Sequence, residues 1–575
     1  MRLIIPLLLL LVTIACYAQV PNIPVIDSGY FAIPVRHSPR LTGNFGELRD
    51  NHFHAGLDFK SSNGRPGDDI LAVADGYISR IKVSMGGYGL TLYIDHPCGL
   101  TSVYAHLSSF REDIQDFVYE KQLEILDYEI DICPDTSEFF VKRGDLIGKM
   151  GSTGHSYGPH LHFELRITDS EIPINPLMYG FGISDDKPPI VRQFFAYTLD
   201  DRHRVLDRIP IPLTFENGVW TSVSDTISID GWRVGLGVDA IDQLNGTTNR
   251  NGVYSINMRV NDDNAYQYRA THCSFDETIN MNGHIDYARR QSHRQFVHRC
   301  FILPNNTLSM YDTSYGKGII MLYKNRPQPV DITIEDYHGN TQRINLLLLQ
   351  SDNWTTTDNE PLYHAFFRYD KSNLYSTEYI SVFAPEDALF TDEPLEIVPA
   401  TDHNGHLTSL RVGQPEIPVK SDLIVHLDNR LIDERWKEKA CLVYKDHRSK
   451  RDRSVGGEIT NDGMNFYLPY LGLHELHYDT LAPEITPFYG KTSWRYGETL
   501  KFRIKDNYEV IGMARELRIS SCIGDRYVAG YYDLKSHTFS LEVKGDWPPG
   551  KHLLMIEAID DQENKTAWSK LVTIN

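Results

Sequence analysis

Apolar residues recur at every second position through much of this chain. Leu90, Leu92 and Ile94 follow the tight turn Gly86-Gly87-Tyr88-Gly89, and Leu71, Val73, Tyr77, Ile78, Ile81 and Val83 flank the turn at Asp75-Gly76. Side chains two apart share one face of a strand, so these runs predict short half-buried strands between glycine-rich turns. The segment 111–122, with Ile114, Phe117 and Val118, is spaced like a short helix. Leu126, Tyr128, Ile130 and Ile132 then alternate like an edge strand. A small β-domain is expected from Leu41 to about Leu177, interrupted by an insertion at about 110–140.

Beyond Pro188 the texture stays β. Val253, Ile256, Met258 and Val260 lie in one strand-like run, and Leu554, Ile556 and Ala558 in another. Two segment starts resemble each other, Asp185-Asp186-Lys187-Pro188-Pro189-Ile190 and Asp479-Thr480-Leu481-Ala482-Pro483-Glu484-Ile485. Two segment ends also match loosely, Asp336-Tyr337-His338-Gly339-Asn340-Thr341 and Asp561-Gln562-Glu563-Asn564-Lys565-Thr566. Short strands with frequent turn signals predict sandwich modules of immunoglobulin or fibronectin type III character. The expected fold class is mainly β: a small antiparallel-β domain at 19–185, then two or three sandwich modules at 186–350, 351–470 and 471–575.

The chain's 575 residues exceed what one hydrophobic core supports, in keeping with several domains. Thirty-three Tyr and 24 Phe suit strands better than long helices. A formal net charge of -20 argues against nucleic-acid binding, since nothing would neutralise phosphates. At the N-terminus, Met1-Arg2 precedes the apolar run Leu3 to Ala15 and then Cys16-Tyr17-Ala18-Gln19. This pattern predicts a secretory signal peptide, residues 1–18, and hence export to the periplasm or cell envelope. A lipoprotein anchored through Cys16 is disfavoured, because Thr13 stands where lipobox sequences usually carry Leu. No later apolar run is long enough to predict a transmembrane segment. Six cysteines follow the leader (Cys98, Cys133, Cys273, Cys300, Cys441 and Cys522) with no CxxC pair, so a cysteine zinc site is not expected. Cys98 with Cys133 and Cys273 with Cys300 are the local disulfide options, and free buried thiols the other.

Three short pieces carry candidate chemistry: His52-Phe53-His54-Ala55-Gly56-Leu57-Asp58, Tyr104-Ala105-His106, and Gly158-Pro159-His160-Leu161-His162-Phe163-Glu164. On a strand, His160 and His162 stand side by side while Leu161 and Phe163 enter the core. His54 and Asp58 lie four apart, and Gly56 between them permits a turn that brings both to one point. Zinc accepts imidazole nitrogen and carboxylate oxygen, so His54, Asp58 and His162 meet the needs of a three-ligand catalytic site. His106 and His160 are left for proton transfer and oxyanion stabilisation, and the residue pattern does not divide those roles.

Together the three pieces resemble the lysostaphin-type (LytM-like) zinc metallopeptidases, which show H-x-x-x-D, a later Y-x-H and a terminal G-P-H-x-H-F. The flanks Asn44-Phe45-Gly46-Glu47-Leu48-Arg49 and Gly151-Ser152-Thr153-Gly154 also look like that family's. The resemblance covers about 41–177. It implies one zinc per chain on His54, Asp58 and His162, catalytic histidines at His106 and His160, and hydrolysis of peptidoglycan stem peptides or cross-links. Some members of the family have lost ligands and instead activate a cell-wall amidase. That non-catalytic regulator is one alternative, and a structural or adhesive envelope protein is another. The insertion is expected near the cleft, as a lid or a determinant of substrate choice, and the β-modules are expected to position the enzyme or dock an envelope partner. His52, His96 and His155 are expected to be bystanders, and His474-Glu475-Leu476-His477 lacks the spacing of a zincin helix.

Overall fold

An antiparallel sheet of eleven strands dominates the N-terminal part of the computed structural model. Residues 21–575 are described, apart from 28, 313–315, 353–364, 447, 449 and 489. The expected signal peptide at 1–18, with Cys16, lies outside the described residues, as does 353–364 of the expected second module. The sheet comprises β1 (Leu41–Gly43), β2 (Leu57–Lys60), β3 (Asp69–Leu71), β4 (Gly76–Val83), β5 (Leu90–Asp95) and β6 (Leu100–Phe110). After helix α1 (Glu112–Ile125) come β7 (Ile130–Ile132), β8 (Phe140–Val141), β9 (Leu146–Met150), β10 (His160–Ile167) and β11 (Pro173–Ile174). The main path runs β1-β2-β10-β6-β5-β4-β7. Leu57, Phe59, Leu92, Tyr104, Leu161 and Phe163 are buried in its core, as the period of two requires.

The insertion has a definite partner. Ile114 and Val118 of α1 are buried against the sheet domain, and Phe117 meets Phe139 edge-on with centroids 5.4 Å apart. Its outer side meets the C-terminal module: the Tyr119 hydroxyl donates to Asp546 at 2.9 Å, and the Tyr128 ring lies 5.9 Å from Tyr531. Met85 and Tyr128 pack with that module's core, beside Leu534 and Trp547. The insertion is thus a seat for the far end of the chain.

Downstream, the described residues form pairs of sheets around separate cores. The first core centres on Ile256, Tyr266, Val330 and Ile344, and takes in Phe45, Leu48 and Phe53 from the N-terminal domain. A second gathers Val382, Leu410, Val425 and Phe466, and a third Phe502, Leu541, Leu554 and Ile574. All six described cysteines are free, so neither local disulfide forms. Among the described residues no helix is long and apolar enough to cross a membrane.

Candidate metal centre

Strand register assembles the centre. In the antiparallel pair β2–β10, His162 stands opposite Asp58, and on its other side β6 places Ala105 opposite His162. His106 follows within a register irregularity of the β5–β6 pair, between the pairings of Leu92 with Tyr104 and of Leu90 with Leu107. Its backbone is left-handed, with φ +60°, a conformation that costs a non-glycine residue about 1 kcal/mol. Gly56 lies at a bend just before β2. A Cβ there would sit 2.3 Å from the Phe163 carbonyl oxygen, so glycine lets the chain before β2 press against β10.

Three donor atoms meet at one point. His54 Nε2 lies 3.0 Å from Asp58 Oδ1 and 2.9 Å from His162 Nδ1, and His162 Nδ1 lies 3.0 Å from Asp58 Oδ1. The opposite side of each group is tied elsewhere. His54 Nδ1 donates to the Asn44 carbonyl at 2.7 Å, and His162 Nε2 donates to Glu164 at 2.8 Å. Asp58 Oδ2 accepts from Arg49 at 3.1 Å. Such outer partners set the tautomer and aim the free atom inward. Two nitrogens and one carboxylate oxygen, all buried and facing each other, fit a metal of the zinc class.

The electrostatics agree with that fit. Burial resists charge on His162, but hydrogen bonds to Asp58 and Glu164 overcome it and push its pKa up to about 9. Burial also opposes charge on Asp58, yet His54 and His162 hold it well below the usual carboxylate range. His54 is lowered, chiefly by burial. The pocket stabilises a cation, which a proton on His162 supplies when no metal is bound.

His106 and His160 stand alongside, their ring centroids 4.8 Å apart. His106 Nδ1 donates to the Thr153 carbonyl at 2.8 Å and His160 Nδ1 to the Gly158 carbonyl at 2.8 Å. Each ring therefore keeps Nε2 free of that contact, and His160 Nε2 lies 3.5 Å from Asp58 Oδ1. Burial, then the neighbouring His160 and His162, push His106 down to about 3, so this ring is neutral. All five expected site residues are thus gathered in one place.

Sequence reasoning assigned no role to the surrounding support. Glu164 is fully buried, accepts from Arg166 Nε at 2.6 Å and from the Tyr88 hydroxyl, and falls to about 2 because Arg166 and His162 outweigh its burial. Its signal was available, since it follows His162 by two on the same strand face. Asn44 gave no such signal. Its side chain is clamped to Gly252 of the first β-module by two 2.8 Å hydrogen bonds, while its carbonyl orients His54. Nearby, Phe53 N donates to Thr278 at 2.9 Å, and Asn51 donates to the Tyr470 hydroxyl at 2.7 Å. The segment carrying His54 is therefore held by the downstream modules.

The bystanders stay outside. His52 is exposed and bonds the Asp50 carbonyl. His96 is buried between the Asp75 carbonyl and Ser102, and His155 is exposed. His474 and His477 lie on the strand Gly472–Tyr478 rather than on a helix.

Comparison with known proteins finds matches in two parts of the chain. Residues 52–123 and 136–176 match peptidase family M23, and residues 364–479 match a Zu5-like domain. The DD-carboxypeptidase/endopeptidase Mpg of Neisseria meningitidis is 34% identical over 149 residues, covering 26% of this chain and 25% of that protein. The cell division protein DipM of Caulobacter vibrioides is 27% identical over 154 residues, covering 26% of this chain and 21% of that protein. Among solved structures, the catalytic domain of the prophage-encoded M23 protein EnpA from Enterococcus faecalis is 27% identical, covering 26% of this chain and 99% of that one with a TM-score of 0.20. The chain thus spans about a quarter of the curated relative it matches at 34% identity. It carries an M23 peptidase domain followed by β-modules.

Proposed function

We propose that this chain is an exported zinc metalloendopeptidase that hydrolyses peptide bonds in bacterial peptidoglycan, at stem peptides or cross-links. The observation that carries this reading is the meeting of His54 Nε2, Asp58 Oδ1 and His162 Nδ1 beside two further imidazoles. Those three atoms would hold one zinc per chain. When bound, zinc supplies Lewis acidity, polarising a peptide carbonyl and lowering the pKa of water. The protein's own part is orientation and proton handling. Glu164 and Asn44 hold the two imidazole ligands in the required tautomers. His106 and His160, with Nδ1 fixed on backbone carbonyls, use Nε2 to move a proton to the leaving amine and to stabilise charge on the carbonyl oxygen. The complete donor set favours this reading over a non-catalytic amidase regulator. The wall substrate follows from the family resemblance, and the modules at 186–350, 351–470 and 471–575 would present the enzyme to the wall or to an envelope partner.

Digestion of purified peptidoglycan by the full chain and by His162→Ala, with metal analysis of both, tests the proposal. Wild type is expected to carry about one zinc per chain and to release new peptide termini, with both lost in the variant. Zinc without cleavage would overturn the hydrolase in favour of a regulator, and wild type without zinc would overturn the site.

A further inference from the structure

Three stretches of chain converge where the N-terminal domain joins the first β-module. One is the entry Asp185-Asp186-Lys187, and the second follows the strand Arg233–Ile241 at Asp242. The third is the turn from Asp336 to Asn340, between strands Gln328–Glu335 and Thr341–Gln350. Asn340 donates its side-chain amide to the Asp185 carbonyl at 3.2 Å and to Asp336 Oδ2 at 2.7 Å. Asn245 N donates to Asp185 Oδ1 at 3.0 Å, and Lys187 Nζ to the Leu244 carbonyl at 3.2 Å.

Acidic groups crowd inside this junction. One carboxylate oxygen each of Asp185 and Asp336, with a ring nitrogen of His338, lie within 4.8 Å of one another. Asp242 is only 1% exposed, and its Oδ1 has no hydrogen-bond partner. Asp185 Oδ2 and His338 Nδ1 are likewise buried and unpartnered. Burial, and then the carboxylates of Asp336 and Asp185, push the Asp242 carboxyl up to about 7. Native proteins seldom leave buried oxygens orphaned, least of all beside like charges.

We propose that Asp185, Asp242 and Asp336 bind a hard divalent cation of the calcium type at the entry of the first β-module. Calcium takes several carboxylate and carbonyl oxygens in a flexible geometry, and loop carboxylates from separate stretches of chain are its usual ligands. The same arrangement recurs in the C-terminal module. One oxygen each of Asp479, Asp506 and Asp560 lie within 4.8 Å of one another, and Asp506 Oδ1 is the buried, unpartnered counterpart of Asp242. Asn340 N reaches Asp336 Oδ1 at 2.9 Å, and Asn564 N reaches Asp560 Oδ1 at 2.7 Å. Asn564 Nδ2 also reaches Asp560 Oδ2 and the Asp479 carbonyl, each at 2.9 Å, as Asn340 does for Asp336 and Asp185. Gln562 stands where the first module has His338, so the carboxylates are what the two clusters share. Carboxylate oxygens, the donors that the two clusters share, favour calcium over zinc. A cation here would tie the entry, the Asp242 loop and the 336–340 turn, and so set the angle of the module on the catalytic domain. The inference does not rest on the proposed hydrolase activity.

Equilibrium dialysis of radioactive calcium against the zinc-loaded full chain tests it, with thermal melts alongside. Wild type is expected to take up calcium and melt at higher temperature with it. Asp242→Asn is expected to lose one calcium per chain. Equal uptake and affinity in Asp242→Asn and wild type, or no uptake by wild type, would overturn the proposal. Should Asp242→Asn fail to fold, Lys187→Gln leaves every carboxylate in place and removes an opposing charge. It is expected to tighten calcium binding about fivefold, and unchanged or weaker binding would count against the site.

Discussion

The candidate metal centre and the junction cluster are both groups of metal-type ligands, yet they are built in opposite ways. At His54, Asp58 and His162 the donors come largely from strands in register, and each is aimed by a partner behind it: Asn44, Arg49 or Glu164. At Asp185, Asp242 and Asp336 the donors come from loop ends, and oxygens are left unpartnered. The first centre sets one carboxylate against two imidazoles, and the second sets the carboxylates of Asp185 and Asp336 beside His338, with Asp242 buried in the same junction. The difference teaches that one cluster is built for precise orientation of each group, whereas the other accumulates charge between separate chain segments.

On the proposed function, the largest effect should come from the imidazoles of His106 and His160. His106→Ala is expected to lower peptidoglycan cleavage by about 10²–10⁴-fold while zinc content stays at the wild-type level. Loss of zinc in that variant would place His106 among the structural supports. Next, Glu164→Gln keeps shape but removes the charge behind His162. Zinc affinity in competition with a chelator should fall about 10–100-fold, with calcium uptake unchanged. A change in calcium uptake would break the separation of the two sites.

The smallest and most graded effect is on pH. Because His162 is raised to about 9 in the metal-free fold, zinc must displace its proton at neutral pH. Apparent zinc affinity is therefore expected to rise about tenfold per pH unit from 6 to 8, and to level off above 9. The sign for the metal-free protein is the reverse. The stability contributed by charged His162 is complete below about 6.5 and is lost as pH rises through about 9. Chelator-treated protein should accordingly lose melting temperature over that window while zinc-loaded protein does not. Parallel curves for the two would show that His162 does not carry the proton.

Much of the candidate metal centre was legible because its spacing is local. His160 and His162 share a strand face by the period of two, and His54 with Asp58 lie within one short segment. Glu164 obeys the same period but was passed over, since nothing in the sequence shows that a strand residue beneath a ligand is buried with Arg166 rather than solvated. Asn44 and Gly252 could not be paired, because their contact spans more than two hundred residues of chain. The insertion at 110–140 was visible as a helix and an edge strand, but its partner Asp546 lies at the other end of the molecule.

By itself the sequence determined the period-two strands, the order of the three histidine-bearing pieces and the likeness between the two module entries and ends. These are properties of neighbouring residues, set by backbone geometry and side-chain type. Only the tertiary structure decided which nitrogen of each histidine faces the centre, that the downstream modules grip the His54 segment, and that the loop after Asp242 meets the Asp185 entry. Those outcomes depend on packing between distant segments, where burial decides which charges must find a partner and which remain without one.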